Sequence, residues 1–280
     1  MDKYVLFIPG GGFNDCLTNL HNAINYCKKY KRILLFDTIN STYKINFIDY
    51  FGINEPNMIY DFNQIKSLCN NNNFSVYPNC LNTKLIDILE GKIRFKYEKD
   101  RPGFSYNTTI LSLPAKIINE DIIIYSRCGG GNGFEIFKRL SFKNNIKEYC
   151  KRNYSLLEKR YLYIHVRNTD IKCNYQELYL KNKNLIHSYN TIYVATDDKE
   201  VIEYFKSQNL TIFNFCKFPE SGNYQSLHTS NVNPDEKIKS LICDIYIAIM
   251  SEKILSTSKG GFINLLRHCY NNKKLIENKF

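Results

Sequence analysis

An arginine stands between a histidine and an aspartate at the end of one apolar run, Tyr161-Leu162-Tyr163-Ile164-His165-Val166-Arg167-Asn168-Thr169-Asp170. A guanidinium presents five donors in a rigid fork that suits the oxygens of a phosphate. The run reads as a buried strand, and the carboxyl ends of strands are where open α/β sheets bind ligands. A strand followed by a polar turn accounts for these residues equally well, so two further segments carry the weight. Thr191-Ile192-Tyr193-Val194-Ala195-Thr196-Asp197-Asp198 repeats the pattern and ends in two carboxylates. One of them fits as the N-cap of the helix that follows; the other is free to meet a ribose or a base edge. The third segment, Lys253 to Phe262, reads as a short strand and then a turn of Ser256, Ser258, Lys259, Gly260 and Gly261 that opens a helix. Small residues there let backbone N–H groups approach an anion, and the helix dipole favours one. Asp244 is read as starting the helix that leads into this segment.

The elements that must position these residues alternate. Tyr161–Val166, Thr191–Thr196, Leu210–Phe215 and Lys253–Ser256 read as strands separated by helical stretches, the pattern of an α/β half. A similar unit lies upstream. Tyr4–Ile8 is an apolar strand that ends at Pro9-Gly10-Gly11-Gly12. Leu17, Leu20, His21, Ile24 and Cys27 then recur at helical spacing, and Arg32–Phe36 is a second strand. The glycines lack the full G-x-G-x-x-G pattern, so no dinucleotide site is assigned. Residues 43–121 read as irregular, with short helices near 45–51, 63–69 and 83–89. Asp121–Tyr125 is a strand running into Arg127-Cys128-Gly129-Gly130-Gly131-Asn132-Gly133, which suits either a ligand cleft or a flexible connector. Residues 134–154 read as one or two helices. The expected division is 1–154 and 155–280, and residues 222–235 read as a mobile loop that includes His228.

In combination these segments resemble the GDP-fucose-dependent fucosyltransferases of the α1,6, α1,2 and protein O-fucosyl superfamily. His165 to Asp170 resembles the first motif, Ala195 to Asp198 the second, and Asp244 with Ser256 to Phe262 the third. Pro9-Gly10-Gly11-Gly12-Phe13-Asn14 resembles the family's first Gly-rich loop. Asn168 stands where the α1,6 enzymes carry a second arginine, and Lys259-Gly260-Gly261 replaces a commoner Ser-rich turn. The resemblance implies a GT-B-like α/β fold with two Rossmann-like halves facing one another, the N-terminal one on the acceptor side and the C-terminal one holding the donor nucleotide. It implies inverting transfer of fucose from GDP-fucose to a glycan or glycoprotein. The residues expected at the donor are Gly11, Gly12, Phe13, Asn14, His165, Arg167, Asp170, Asp197, Asp198, Asp244, Ser256, Ser258, Gly260, Gly261 and Phe262. Another nucleotide-sugar donor, or a binding protein that kept the fold, would draw on the same residues.

Breaking an anomeric C–O bond builds charge on the leaving diphosphate, which a fixed arginine and helix N-terminal amides stabilise without a metal. Asp197 and Asp198 are adjacent rather than spaced as Asp-x-Asp, so no metal and no separate cofactor are expected. Arg167 is the first catalytic candidate, and Glu177 and Asp15 are candidate bases for the acceptor hydroxyl.

Composition narrows the partners. The chain has 280 residues, 44% hydrophobic, which is enough for a substantial core in one or two domains. Its net charge of +11 suits an anionic donor, and the dispersed lysines form no dense block that would mark a specific nucleic-acid site. The abundant Asn, Lys, Ile and Tyr look like an AT-rich coding bias, so the sequons at Asn40, Asn107, Asn153 and Asn209 count as chance. The ten cysteines form no C-x-x-C pair, and several, such as Cys27, Cys243 and Cys269, read as small buried apolar residues. With no signal peptide or transmembrane run, a cytoplasmic location is expected.

Overall fold

In the computed structural model, residues 2–98, 100, 103–219 and 227–280 are described, and the chain divides into two α/β units, Met1–Ser141 and Phe142–Phe280. Residues 222–226 of the expected mobile loop lie outside the described residues. His228 falls in a single 3-10 turn, Leu227–Thr229.

The first unit is built on β1 (Tyr4–Phe7), α1 (Phe13–Tyr30), β2 (Ile33–Phe36), β3 (Phe51–Ile53), β4 (Met58–Ile59), α2 (Phe62–Asn70), β5 (Val76–Tyr77), α3 (Leu85–Leu89), β6 (Lys96–Glu98), β7 (Gly103–Tyr106), β8 (Thr109–Ile110), β9 (Ile122–Tyr125) and α4 (Phe134–Phe137). Its main sheet is parallel, in the order β4-β2-β1-β9-β5. Both faces are covered, so β1 and β9 are apolar throughout rather than alternating. Leu6, Leu35, Val76, Ile122 and Ile124 enter one core cluster. Phe7 stacks with Phe36 and Tyr125 at centroid distances of 5.5 and 4.9 Å. Buried Arg32 ties the strand starts together, donating to the carbonyls of Tyr4 at 3.1 Å, Ile118 at 2.5 Å and Glu120 at 3.1 Å. The stretch read as irregular contains a three-stranded antiparallel sheet, β6-β7-β8. Residues 134–154 are interrupted by β10 (Leu140–Phe142), which carries the chain across the division.

The second unit runs α5 (Asn144–Tyr154), β11 (Tyr161–Val166), α6 (Tyr175–Ile186), β12 (Thr191–Thr196), α7 (Lys199–Ser207), β13 (Ile212–Phe213), α8 (Pro234–Met250), β14 (Lys253–Ser256), α9 (Gly261–Asn271) and α10 (Lys273–Glu277). All four strands are parallel, in the order β13-β12-β11-β14. Leu162, Ile164, Ile192 and Val194 pack on one face with Leu178, Val201 and Phe205. On the other face, Tyr161 donates to the Ile247 carbonyl of α8 at 2.6 Å. The division precedes α5 instead of following it at 154/155, because α5 buries Ile146 and Cys150 and sets Tyr154 edge-on to Tyr246 of α8 at 5.5 Å. Asn233 caps α8 through Asp235 N–H, with Pro234 at its first position. Asp244 therefore lies in the interior of α8, not at its start.

Candidate active site

The chain leaves β11 toward β12 and β13 on one side, and later returns through α8 to place β14 on the other. The crevice beyond β11 and β14 is therefore a topological switch point, and Arg167 is the first residue past β11. Its Nε donates to Asp170 Oδ1 at 2.8 Å and one Nη to Asp170 Oδ2 at 2.5 Å. Nε also lies 4.0 Å from Asp197 Oδ2. The other Nη is 3.5 Å from where a side chain on Gly260 would begin, at the N-cap of α9. Two carboxylates thus hold one edge of the guanidinium and point the other at a helix start that no side chain caps.

The first two motifs are laced together by hydrogen bonds. Asp197 accepts from Asn168 N–H at 2.7 Å and from the Thr169 hydroxyl at 2.6 Å. Burial nevertheless raises its carboxyl above the ordinary range, against the lowering effect of those donors and of Arg167. Asp198 caps α7 by accepting from Glu200 N–H at 3.0 Å and also takes the Asn168 side-chain amide at 2.8 Å. The capping member of the pair is therefore Asp198, and the one beside Arg167 is Asp197. Asn168, buried and bonded to both acids, links the two strand ends. Nothing in the sequence marks this link, because Asn168 stands out there only as the absence of a second arginine.

The third motif is stitched to the first. Ser258 Oγ accepts from Arg167 N–H at 2.9 Å, and Ser256 Oγ accepts from Ser258 N–H at 3.1 Å and pairs with His165 Nδ1 at 3.2 Å. Phe262, in the first turn of α9, sets its ring 5.7 Å from the His165 ring. Burial, and then the nearby Arg167 and Arg267, bring the His165 pKa down to about 3. The imidazole is neutral at physiological pH and cannot add a second cation for a phosphate. Gly260 is in extended conformation, and Gly261 is the first residue of α9.

Asp244 accepts the Tyr193 hydroxyl at 2.5 Å. It keeps part of its surface accessible, yet protein surrounds it so fully that desolvation raises its pKa to about 7, with the Tyr193 bond opposing. The Cys216 thiol lies close enough to Asp244 and Asp197 to feel both charges. The buried Tyr163 hydroxyl, also near Asp244, has no hydrogen-bond partner. Tyr163, Tyr193 and Cys216 thus cluster about Asp244. Tyr193 and Cys216 sit in apolar runs that nothing in the sequence singles out.

The other candidates fall elsewhere. Gly11, Gly12, Phe13, Asn14 and Asp15 belong to the first unit. Phe13 is buried among Tyr43, Phe51 and Phe137. The Asn14 side chain, also buried, donates to the Gly131 carbonyl at 3.2 Å and accepts Gly133 N–H at 3.0 Å. These two side chains serve the interior, because they pin the second Gly-rich loop to α1. Side chains on Gly130 or Gly133 would press into Thr18 or into Asn14 and Leu17, so that loop is packed and is not a flexible connector. Gly12 is the N-cap of α1 and has open space about it.

Glu177 is the third residue of α6 and bonds with its N-cap residue, Asn174. Its N–H donates to Asn174 Oδ1 at 2.9 Å, its carboxylate accepts from the Asn174 side-chain amide at 3.2 Å, and it pairs with Lys181 at 2.5 Å. A glutamine keeps the N–H and an oxygen for the two Asn174 bonds. Glu177→Gln is expected to leave the melting temperature within about a degree and transfer within about twofold, since capping terms are worth only about 1 kcal/mol. A loss of transfer by orders of magnitude in the folded variant would instead mark Glu177 as the base.

Among the described residues no group of three or more His, Cys, Asp or Glu is arranged to hold a metal ion, and no helix is long and apolar enough to cross a membrane. No family model and no curated protein sequence matches the chain. Solved structures do. NodZ fucosyltransferase from Bradyrhizobium aligns at 15% identity with a TM-score of 0.59, over 95% of this chain and 93% of that one. NodZ α1,6-fucosyltransferase soaked with GDP-fucose aligns at 16% identity with a TM-score of 0.58, over 95% and 92%. POFUT1 in complex with GDP-fucose aligns at 12% identity with a TM-score of 0.53, over 95% and 93%. Likeness across nearly the whole of each chain shows that this α/β protein, with its two parallel-sheet units, shares the GT-B fold of these fucosyltransferases.

Proposed function

We propose that the chain is a fucosyltransferase that moves fucose from GDP-fucose to a hydroxyl of a glycan or glycoprotein. The observation that carries this reading is Arg167 at the β11/β14 switch point, one edge fixed by Asp170 and Asp197 and the other beside the uncapped start of α9. A diphosphate seated there meets a forked cation and backbone N–H groups together. In the reaction a bond forms from the acceptor oxygen to the anomeric carbon, and the bond from that carbon to the diphosphate oxygen breaks. The hydroxyl proton passes to a carboxylate or to water, and a single displacement inverts the anomeric centre. Arg167 is catalytic because charge on the departing oxygen grows as the bond breaks.

Guanine presents two neighbouring N–H donors, N1–H and the 2-amino group, and the partly accessible Asp244 is the acceptor we assign to them. The ten cysteines are all free thiols, in keeping with a reducing compartment such as the cytoplasm. The NodZ and POFUT1 structures that contain GDP-fucose support the choice of donor.

The test is thermal stabilisation by GDP, UDP, ADP and GDP-fucose, with and without EDTA. GDP at a hundred times its Kd is expected to add about 2.7 kcal/mol, UDP and ADP much less, and EDTA to change nothing. Preference for UDP would point to another donor sugar. No response to any nucleotide would point to a binding protein that kept the fold, and loss of both binding and turnover in EDTA would overturn the metal-independent mechanism.

A further inference from the structure

Arg167 by itself does not make its end of the crevice positive. Asp170 takes two bonds from the guanidinium, and Asp197 Oδ2 lies 4.0 Å from its Nε. With both acids ionised the three side chains sum to one negative charge, and with Asp197 protonated they sum to zero. His165 adds nothing, because its imidazole is neutral at physiological pH. A diphosphate is a polyanion, and a group of that net charge does not draw it from solution. A second cation is needed to offset the two acids.

Three other basic side chains belong to the same loops and helix. The Lys172 ammonium is taken up by the Asn168 carbonyl at 2.6 Å. Arg267 lies two turns into α9, about 10 Å along its axis from the N-cap. Lys259 differs from both. It follows Ser258, whose hydroxyl accepts Arg167 N–H at 2.9 Å, and it precedes Gly260, where a side chain would begin 3.5 Å from an Arg167 Nη. Consecutive Cα atoms are about 3.8 Å apart, so the backbone of Lys259 is held close to Arg167 from both sides. Among the described residues, nothing but that Nη and the neighbouring chain lies within 4 Å of the point where a Gly260 side chain would begin, so the place is open. The Lys259 side chain is exposed, and among the described residues it makes no ion pair or hydrogen bond.

We infer that Lys259 is the second cation of the donor site, its ammonium meeting the diphosphate at the start of α9 beside the Arg167 fork. Adding it brings the local sum to zero with both acids ionised, or to one positive charge with Asp197 protonated, before the backbone N–H groups of the uncapped helix start are counted. The two cations divide the work by their chemistry. Arg167 is fixed on one edge by its carboxylates and orients the phosphates. The ammonium of Lys259, a compact charge on a flexible stem, can follow the leaving oxygens as charge grows on them. The nucleotide part of this assignment rests on the glycosyltransferase reading; affinity for a bare diphosphate does not.

The experiment is titration calorimetry with GDP and with inorganic pyrophosphate, each at low and high ionic strength. Lys259→Ala is expected to melt with the wild type, because the side chain is exposed, and to bind both ligands about tenfold more weakly at low salt. Its affinities are expected to fall less steeply with added salt, since one fewer cation is there to be screened. Lys259→Arg, which keeps the charge, and Lys172→Ala are each expected to bind within about threefold of the wild type. GDP affinity and salt dependence unchanged in Lys259→Ala would leave the donor reading standing and make Lys259 a surface lysine. A larger loss in Lys172→Ala than in Lys259→Ala would overturn the assignment in favour of Lys172. If pyrophosphate binds through Lys259 and no nucleotide binds better than pyrophosphate, Lys259 keeps its role and the donor reading fails. Wild-type protein that binds neither ligand overturns both.

Discussion

Replacing Arg167 with alanine is expected to cut transfer by about 100- to 1000-fold while leaving the protein folded. Loss of one preorganised donor to developing charge costs about 3–4 kcal/mol in such sites. The fold has little to lose. Asp170 lies at the surface and can be solvated when its partner goes. Asp197 keeps the Asn168 N–H and the Thr169 hydroxyl. A fall in stability of about 1 kcal/mol is therefore the most that the ion pair predicts. Arg167→Lys should recover only part of the rate, since an ammonium can neither bind Asp170 bidentately nor present a second fixed edge to a phosphate. Rate and melting temperature measured on one preparation decide the matter. A variant that melts several degrees lower but turns over at the wild-type rate would make Arg167 a structural partner of Asp170 and nothing more.

The parts of this site legible in the sequence were those fixed by strand ends. β11, β12 and β14 are apolar runs, and whatever follows such a run in a parallel sheet must appear at one edge. Arg167, Asp197 and Ser256 thus come together by topology alone. Side-chain bonding decided the rest. Nothing in the order of Asp197 and Asp198 says which one caps α7; that follows from the bond to Glu200. Nor does the sequence show that the Asn168 amide joins Asp198 while its N–H joins Asp197. The strands of the β6–β8 sheet are two to four residues long and mix exposed with buried positions, so no period of two has room to show. The start of α8 did carry a signal, Asn233 before Pro234, hidden by its place at the edge of a Ser-, Asn- and Gly-rich stretch.

Asn168 bears on how the site works with a single guanidinium. A second arginine there would bring another charge but lose the amide that joins the two carboxylate strand ends. The Asn168 backbone N–H and the Thr169 hydroxyl align Asp197 beside Arg167 without the side chain at 168, and the asparagine amide adds the tie to Asp198. Arg167 is the guanidinium that Asp170 and Asp197 fix toward the start of α9, which is why a single substitution there is expected to remove most of the activity.

The second large effect is a proton linkage at Asp244. Its carboxyl is raised to about 7 by desolvation, against an ordinary value of about 3.9. Between those two values the folded protein holds a proton that the unfolded chain has released. Stability therefore falls as pH rises from about 4 to about 7 and is level above, by an amount on the order of 4 kcal/mol for this group. Asp244→Asn keeps an oxygen for the Tyr193 hydroxyl and has no proton to lose. It is expected to be more stable than the wild type at pH 8, with the difference vanishing near pH 4. Donor binding runs the other way. Guanine N–H groups donate to the ionised carboxylate, so GDP affinity is expected to rise from pH 6 to pH 8 and binding to release protons. The variant loses a charge-assisted pair worth about 1.5–3 kcal/mol and binds GDP on the order of 10- to 100-fold more weakly at pH 8. Titration calorimetry in two buffers of different ionisation enthalpy reads the proton count directly, and the phosphate's own ionisation cancels between the two proteins. Equal proton release and equal affinity in wild type and Asp244→Asn would remove Asp244 from the donor site and leave it a buried partner of Tyr193.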